Sequence, residues 1–202
     1  IAVTTTEDNA AISNGAVDSD EKHGDGRRTV RFVKTPKLST YLLALAVGPL
    51  EPSSVRRLGP TEIRVWHVPG KGRLSEFGLE AAVQALSRLE DYFDIPYPYG
   101  KLDLVAVPDF EAGAMENAGA VFFRETLLLV DEKRATLRER KRAIEVIAIP
   151  ARRGMAARLL SDAYARLDAV GAIDARDAER LVELGVRRER IDVTGDTRYD
   201  QV

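Results

Sequence analysis

The stretch Gly113-Ala114-Met115-Glu116-Asn117 separates two apolar runs, KLDLVAV at residues 101–107 and AVFFRETLLLV at residues 120–130. Runs rich in Val, Leu and Phe are typical of buried strands. The sequence therefore places the pentapeptide between two strands and predicts a mixed α+β fold around it.

The first 70 residues predict a β-rich region. Alternation of polar and apolar residues predicts half-buried strands at residues 29–33 and 62–68. The polar, glycine-containing residues 18–28 predict an exposed hairpin loop. The apolar residues 38–47 predict a longer strand covered on both faces.

Helical periodicity replaces this pattern further along the chain. Apolar residues recur at helical spacing over residues 74–93 and predict an amphipathic helix. Thr136 and Glu139 have the spacing of a capping box, which satisfies free N–H groups at a helix start. Because proline lacks an N–H and clashes with the preceding turn, Pro150 is expected to interrupt that helix. The residues expected to form its apolar face are Leu137, Ile144, Ile147 and Ala148.

The composition changes after Pro150, since residues 151–202 contain no Lys, Phe, Trp or His. The elements predicted there are a helix at 156–167, an apolar link at 170–173, a helix at 174–184 and a strand at 190–194. Asp174 is expected to cap the second helix and Gly185 to end it. This order resembles a βαβ unit.

Composition limits the classes of function. A formal net charge of -2 gives no general attraction for nucleic acid or an anionic membrane, so neither is an expected partner. The chain has no cysteine and hence no thiolate metal ligand, which fits a cytoplasmic location. Because the sequence begins with Ile1 inside a strand-like stretch, we expect it to be a fragment or a trimmed sequence.

Residues 1–149 resemble the gluzincin zinc aminopeptidases of the aminopeptidase N type. The resemblance rests on five stretches in family order: Ala11-Ile-Ser-Asn-Gly15, Lys34-Thr-Pro-Lys-Leu-Ser-Thr-Tyr-Leu42, Asp91-Tyr-Phe-Asp-Ile-Pro-Tyr-Pro98, Lys101-Leu-Asp-Leu-Val-Ala-Val-Pro-Asp-Phe110 and the pentapeptide Gly113–Asn117. A given pentapeptide arises by chance in such a chain about once in ten thousand cases, so the ordered set is specific.

This resemblance implies a domain plan. Residues 1–65 would be the end of a β-sandwich domain, and residues 66–149 would open a thermolysin-like catalytic domain. Residues 150–202 would form a separate α/β tail. In the family the pentapeptide strand lies along the substrate, its glutamate binds the peptide α-amine, and its backbone pairs with the peptide. The expected substrate-binding residues are thus Gly113, Ala114, Met115, Glu116 and Asn117, with a free peptide N-terminus as the expected partner.

The same resemblance implies zinc, but the sequence departs from the family where the zinc ligands belong. The family holds zinc with H-E-x-x-H on the helix after this strand and a later glutamate. The corresponding positions are Ile149-Pro150-Ala151-Arg152-Arg153. The two histidines, His23 and His67, are interpreted as surface or packing residues. We therefore expect no metal, no cofactor and no catalytic residue in this chain.

The tail resembles a second family. Residues 155–202 are similar to the end of the N-terminal Rossmann-like domain of Kdo transferases, which are glycosyltransferases of lipid A core assembly. The similarity lies in the helix-Leu184-Gly185-strand-Thr194-Gly195 pattern. The chain thus looks like a join of two unrelated fragments near Ile149-Pro150.

Four hypotheses follow. The chain is a truncated aminopeptidase that is silent by itself, or a module that retains binding of peptide N-termini. Alternatively it is a structural or interaction protein in which both parts pack into a new domain, or a glycosyltransferase fragment that acts with a partner chain. By family resemblance it is a metallopeptidase-type hydrolase, and by itself it is expected to be catalytically incompetent.

Overall fold

The computed structural model describes residues 1–150, 169–183 and 186–194. The chain divides into two units, residues 1–154 and 155–202, and each is described by itself. The mixed α+β class is confirmed: the first unit contains both strands and helices, and so does the described part of the second.

An antiparallel sheet begins the first unit. It contains β1 (Ala2–Thr6), β3 (Val17–His23) and β4 (Arg27–Phe32), with β4 in the middle. The hairpin predicted at 18–28 is present, but its first half is strand β3 and not loop. The polar residues of β3 can form a strand because they point to water while their backbone pairs with β4.

The prediction of a long strand at residues 38–47 is wrong. Thr40–Leu42 form a 3₁₀ turn, and only β5 (Leu45–Gly48) is strand, paired with β2 (Ala10–Ser13). Nor is the segment covered on both faces, since Tyr41 and Leu43 are 58% and 54% exposed. Side chains from elsewhere in the sequence bind the backbone of residues 42–44, and this holds the segment out of a strand ladder.

A six-stranded mixed sheet forms the centre of the first unit. Its order is β10-β11-β9-β8-β6, and β7 also pairs with β8. The strands are β6 (Glu51–Pro52), β7 (Arg56–Leu58), β8 (Thr61–His67), β9 (Lys101–Val107), β10 (Ala114–Met115) and β11 (Ala120–Arg124). The strands β8, β9 and β11 are parallel, and residues 101–106 of β9 are all buried. The predicted domain boundary at residue 65 falls inside β8, and the division into domains stays a prediction.

The helix α1 (Ser75–Phe93) connects β8 to β9, as its apolar periodicity predicted. Its buried face includes Leu79, Ala82 and Leu86. A Cβ atom at Gly78 would lie 2.6 Å from the carbonyl oxygen of Leu128, so only glycine allows α1 to approach this closely. Leu128 belongs to α2 (Glu125–Leu128), and the strand predicted over 120–130 therefore ends early, at Arg124. The apolar run continues past the strand because Leu128 is fully buried in the helical turn.

The helix α3 covers residues 137–150 of the described chain. Its capping box is confirmed: the Thr136 N–H donates to Glu139 Oε2 at 2.7 Å, and the Glu139 N–H donates to Thr136 Oγ1 at 3.3 Å. The predicted apolar face is wrong for Leu137 and Ile144, which are exposed. The buried residues are Ala143, Val146, Ile147 and Pro150, which share one face at helical spacing.

The break expected at Pro150 is absent at that residue, because Pro150 is still helical. The fixed φ of proline is compatible with a helix, so a helix can include Pro150 although this residue donates no N–H. The end of α3 and the helix predicted at 156–167 lie outside the described residues, as does Gly185.

The second unit contains a βαβ element, in agreement with the βαβ-like order of the sequence, although its first strand lies in the residues predicted as an apolar link. The strands β12 (Val170–Ala172) and β13 (Ile191–Val193) are parallel and are joined by α4 (Ala175–Glu183). Asp174 caps α4, because its Oδ1 accepts the Asp177 N–H at 2.7 Å. No helix among the described residues is long and apolar enough to cross a bilayer.

Candidate functional site

The pentapeptide lies at one end of the six-stranded sheet. Ala114 and Met115 form β10, which pairs antiparallel with Phe123 and Phe122 of β11. The Gly113 carbonyl accepts the Arg124 N–H at 3.0 Å and extends this pairing. Among the described strands, β10 pairs with β11 alone, so its other side is an edge where an extended chain could add.

The loop that precedes β10 is fixed by Arg124. Its Nε donates to the Phe110 carbonyl at 2.9 Å, and its guanidinium also binds the Glu111 carbonyl. Asp109 adopts the left-handed conformation, with φ of 54°. The short β10 strand therefore enters the sheet from a loop whose direction is set by the next strand.

Glu116 follows β10 directly and is half-buried. The Tyr41 hydroxyl donates to Glu116 Oε1 at 3.1 Å. This pair, which we call the rim, joins residues 75 positions apart in the sequence. A carboxylate at a sheet edge can bind an ammonium group by a charge-assisted hydrogen bond.

A buried network of amide hydrogen bonds underlies the rim. Asn14 Nδ2 donates to the Leu42 and Ala118 carbonyls at 2.8 and 2.7 Å, and Asn14 Oδ1 accepts the Ala44 N–H at 2.8 Å. Asn117 Nδ2 donates to the Leu43 carbonyl at 3.1 Å. These bonds fasten the segment that carries Tyr41 to the end of the pentapeptide.

Lys101 extends this network beneath the turn after the pentapeptide. It is 4% exposed, and its ammonium donates to Asp103 Oδ2 at 2.6 Å and to the Ser13 and Gly119 carbonyls, each at 2.8 Å. Burial lowers the pKa of Lys101, and the neighbouring Asp103 carboxylate opposes that shift. Three acceptors match the three ammonium protons, so the lysine holds β2, β9 and the Gly119 turn together.

Gly119 packs closely against this network, next to the Asn14 backbone. It has φ of 70°, and a Cβ atom there would lie 2.4 Å from the Asn14 carbonyl oxygen. Its N–H donates to the Tyr97 hydroxyl at 3.2 Å. Burial raises the pKa of Tyr97 above its ordinary value, so this phenol is neutral.

The histidines lie in different sheets. His67 is 2% exposed on β8, and its Nδ1 lies 2.9 Å from the Val68 carbonyl oxygen. His23 lies on β3, with Nε2 2.7 Å from Thr29 Oγ1. In residues 1–150, 169–183 and 186–194, no three His, Cys, Asp or Glu side chains form a group able to hold a metal ion.

Sequence reasoning placed the five pentapeptide residues as one segment but missed Tyr41 and Asn14 as its supports. The signal that could have identified them is that both lie in stretches used for the resemblance, 11–15 and 34–42. Periodicity alone gives no such pairing.

Two family models match this chain. The peptidase family M1 domain matches residues 77–149. The 3-deoxy-D-manno-octulosonic-acid transferase (kdotransferase) family matches residues 142–201. The two matches share only residues 142–149, which lie in α3 and adjoin the predicted join.

Curated relatives match the first part of the chain. It is 43% identical over 139 residues to the puromycin-sensitive aminopeptidase of Caenorhabditis elegans, which covers 68% of this chain and 15% of that protein. It is 46% identical over 122 residues to aminopeptidase M1-B of Oryza sativa subsp. japonica, or 60% of this chain and 14% of that protein. It is 43% identical over 137 residues to probable aminopeptidase 1 of Saccharolobus solfataricus, or 68% of this chain and 17% of that protein.

The chain thus spans only about a sixth of the length of these relatives. Both resemblances stated from the sequence are confirmed. The chain is thus similar to the peptidase family M1 domain over residues 77–149 and to the Kdo transferase family over residues 142–201.

Proposed function

We propose that the first unit binds the free N-terminus of an extended peptide along β10, with Glu116 as acceptor of the α-ammonium group. The observation that carries the proposal is the position of Glu116: it directly follows a sheet-edge strand, and the Tyr41 hydroxyl orients its carboxylate. The aminopeptidase relatives support the same substrate class.

Both the backbone of β10 and the side chain of Glu116 would contact the peptide. The outer side of β10 offers main-chain groups that can pair with a peptide in any sequence context. The ammonium group at the start of the peptide would then meet the Glu116 carboxylate, which fixes the register. A peptide with a blocked N-terminus loses the charged donor and therefore most of that fixed register.

The residues present do not fit the zinc ion that the family uses. Zinc in proteins is bound by His, Cys, Asp or Glu, and the positions of the family motif hold Ile149, Pro150, Ala151, Arg152 and Arg153. His67 is buried against its own strand end and His23 lies on another sheet. We propose peptide binding without hydrolysis by this chain alone.

Calorimetric titration with an unblocked tripeptide such as Ala-Ala-Ala, and with its N-acetylated form, tests the proposal. The free-amine peptide is expected to bind and the acetylated peptide to bind at least about tenfold more weakly. Glu116→Ala is expected to abolish that preference without changing the thermal unfolding temperature. Equal heats from both peptides, or binding unchanged in Glu116→Ala, would exclude this function.

We further propose that the chain is a fusion of two fragments, with the described βαβ element of the second unit as a piece of a Rossmann-like glycosyltransferase domain. The two family matches meet within α3 and support this. Reading genomic DNA across the Ile149 and Pro150 codons tests it: continuous reads support a true fusion, and reads that diverge there exclude one. A cytoplasmic location stays a prediction.

A further inference from the structure

A second polar site lies in a cavity of about 190 Å³ within the first unit. Its walls come from β2, β3, β4, β8 and β9. The charged and indole side chains that line it are Asp20, Arg28, Arg64, Trp66, Lys101 and Asp103. Lys101 and Asp103 also belong to the network beneath the turn after the pentapeptide, whereas the other four side chains have no part in the proposed peptide-binding role.

Two buried donor atoms of side chains that line this cavity have no hydrogen-bond acceptor among the described residues. They are Arg28 Nε and Trp66 Nε1. A third buried donor, Arg64 Nε, lies 2.8 Å from Asp103 Oδ1. Buried N–H groups are nearly always paired in folded proteins, so two at one cavity indicate an acceptor, either water or a ligand. A guanidinium and an indole cannot accept hydrogen bonds, so the acceptor must come from outside this pair.

The local charges favour an anionic acceptor. Arg28 binds Asp20 at 2.6 Å, and Asp103 is shared by Lys101 at 2.6 Å and Arg64 at 2.8 Å. Arg64 Nη2 also lies 3.6 Å from Glu62 Oε2, a carboxylate outside the cavity lining. Among the side chains that line the cavity, three cations thus face two carboxylates.

We propose that this cavity binds a small oxyanion, a phosphate or a short carboxylate, through the guanidinium groups of Arg28 and Arg64 and the indole N–H of Trp66. Its size fits this class, because drug-sized ligands occupy about 300–1,000 Å³ and a water molecule about 30 Å³. Guanidinium groups bind planar and tetrahedral oxyanions by charge-assisted hydrogen bonds.

The chain carries its own reporter for this site. Trp66 is the single tryptophan of the sequence. The Arg64 guanidinium carbon lies 5.8 Å from the centroid of its ring. An anion that binds Arg64 or accepts a hydrogen bond from the indole N–H therefore changes the environment of Trp66, and the intrinsic fluorescence of Trp66 reports binding directly.

The experiment titrates the full chain with sodium phosphate and, separately, with sodium acetate, at ionic strength held constant with sodium chloride. We expect a saturable change of Trp66 fluorescence with at least one of them. Saturation with phosphate alone assigns a phosphate site, and saturation with acetate alone assigns a carboxylate site. Linear or absent changes with both anions overturn the proposal.

Matched variants separate the site from a general charge effect. Arg64→Gln is expected to weaken anion binding at least about tenfold. Arg73→Gln removes the same charge from an 80% exposed side chain that pairs with Asp131, outside the cavity, and is expected to leave binding unchanged. Equal losses in both variants overturn the proposal. If Arg64→Gln does not fold, Trp66→Phe replaces it, because this variant removes the indole N–H and keeps an aromatic ring. Its anion binding is measured by calorimetry. Undiminished binding by Trp66→Phe overturns the indole contact and the proposal.

Discussion

The rim and the buried network are both built from side-chain hydrogen bonds, but they serve different purposes. In the network, both polar ends of the Asn14 amide are bonded to backbone groups, and the Lys101 ammonium has three acceptors. In the rim, the Glu116 carboxylate meets a hydroxyl on a side chain that is 58% exposed. The difference teaches that the network fixes the backbone around the pentapeptide, while the rim is the part that the proposed peptide-binding role uses.

Asn14→Ala disrupts the network, and we expect it to have the largest effect on stability. It leaves the Leu42 and Ala118 carbonyls and the Ala44 N–H without their partner, and each such group costs roughly 1–3 kcal/mol. We expect the free energy of unfolding to fall by about 4 kcal/mol, measured by urea denaturation. Asn9→Ala is the control, because that amide makes one hydrogen bond, to Thr5, and should cost less than about 1 kcal/mol. Similar costs for both variants would contradict a special role for the network.

Gly119→Ala tests the same network through the backbone. The new Cβ atom would lie 2.4 Å from the Asn14 carbonyl oxygen, at φ of 70°. We expect a loss of about 3 kcal/mol in urea denaturation. Gly100→Ala is a matched control, since Gly100 has φ of 68° and no described atom lies within 4 Å of its added Cβ. It should lose only about 1 kcal/mol, for the left-handed backbone alone. A smaller loss at Gly119 than at Gly100 would show that the turn is not tightly packed against Asn14.

Tyr41→Phe changes the rim and leaves the network intact. It removes the hydroxyl that orients Glu116 and keeps the ring, so we expect free-amine peptide affinity to fall about threefold with no change in stability beyond about 0.5 kcal/mol. Calorimetry and urea denaturation measure the two quantities. Tyr92→Phe on α1, 81% exposed, should change neither. A stability loss without an affinity loss would place Tyr41 in the network instead.

The capping box of α3 gives the smallest expected effect, and it depends on pH. Hydrogen bonds from Thr136 lower the pKa of Glu139 below its ordinary value of 4.5. The folded state therefore favours the carboxylate, so its stabilisation is present above the ordinary pKa and is lost as pH falls through the lowered pKa. Between about pH 6 and pH 3, the unfolding temperature should fall slightly more for the wild type than for Glu139→Gln. Identical pH profiles by circular dichroism would contradict a role for the box.

The sequence predicted the fold best where periodicity and burial coincide. The helix expected at 74–93 is α1, and β9 has the predicted bounds, because each buries a regular pattern of apolar side chains. It failed at residues 38–47, where Asn14 and Asn117 bind the backbone from distant positions. It also misplaced the apolar face of α3, whose buried side is set by its neighbours in the fold and not by the most apolar residues.

The candidate site was predictable in part for a related reason. The five residues of the pentapeptide are contiguous, so one motif identified them all. The contact between Tyr41 and Glu116 joins positions 75 residues apart, and local pattern carries no information about such a contact. The cavity of the further inference was missed entirely, because Arg28 lies on β4 while Arg64 and Trp66 lie on β8, and no local spacing joins the two strands.

The most direct test of the account combines two changes at one contact. Affinities are measured by calorimetry for the free and N-acetylated peptide, each with the wild type and with Glu116→Gln. If Glu116 binds the α-ammonium group, acetylation should weaken binding at least about tenfold in the wild type and less than about twofold in Glu116→Gln, so the two losses are coupled. Losses that simply multiply, with the same acetylation effect in both proteins, would show that the ammonium group binds elsewhere and would contradict the account.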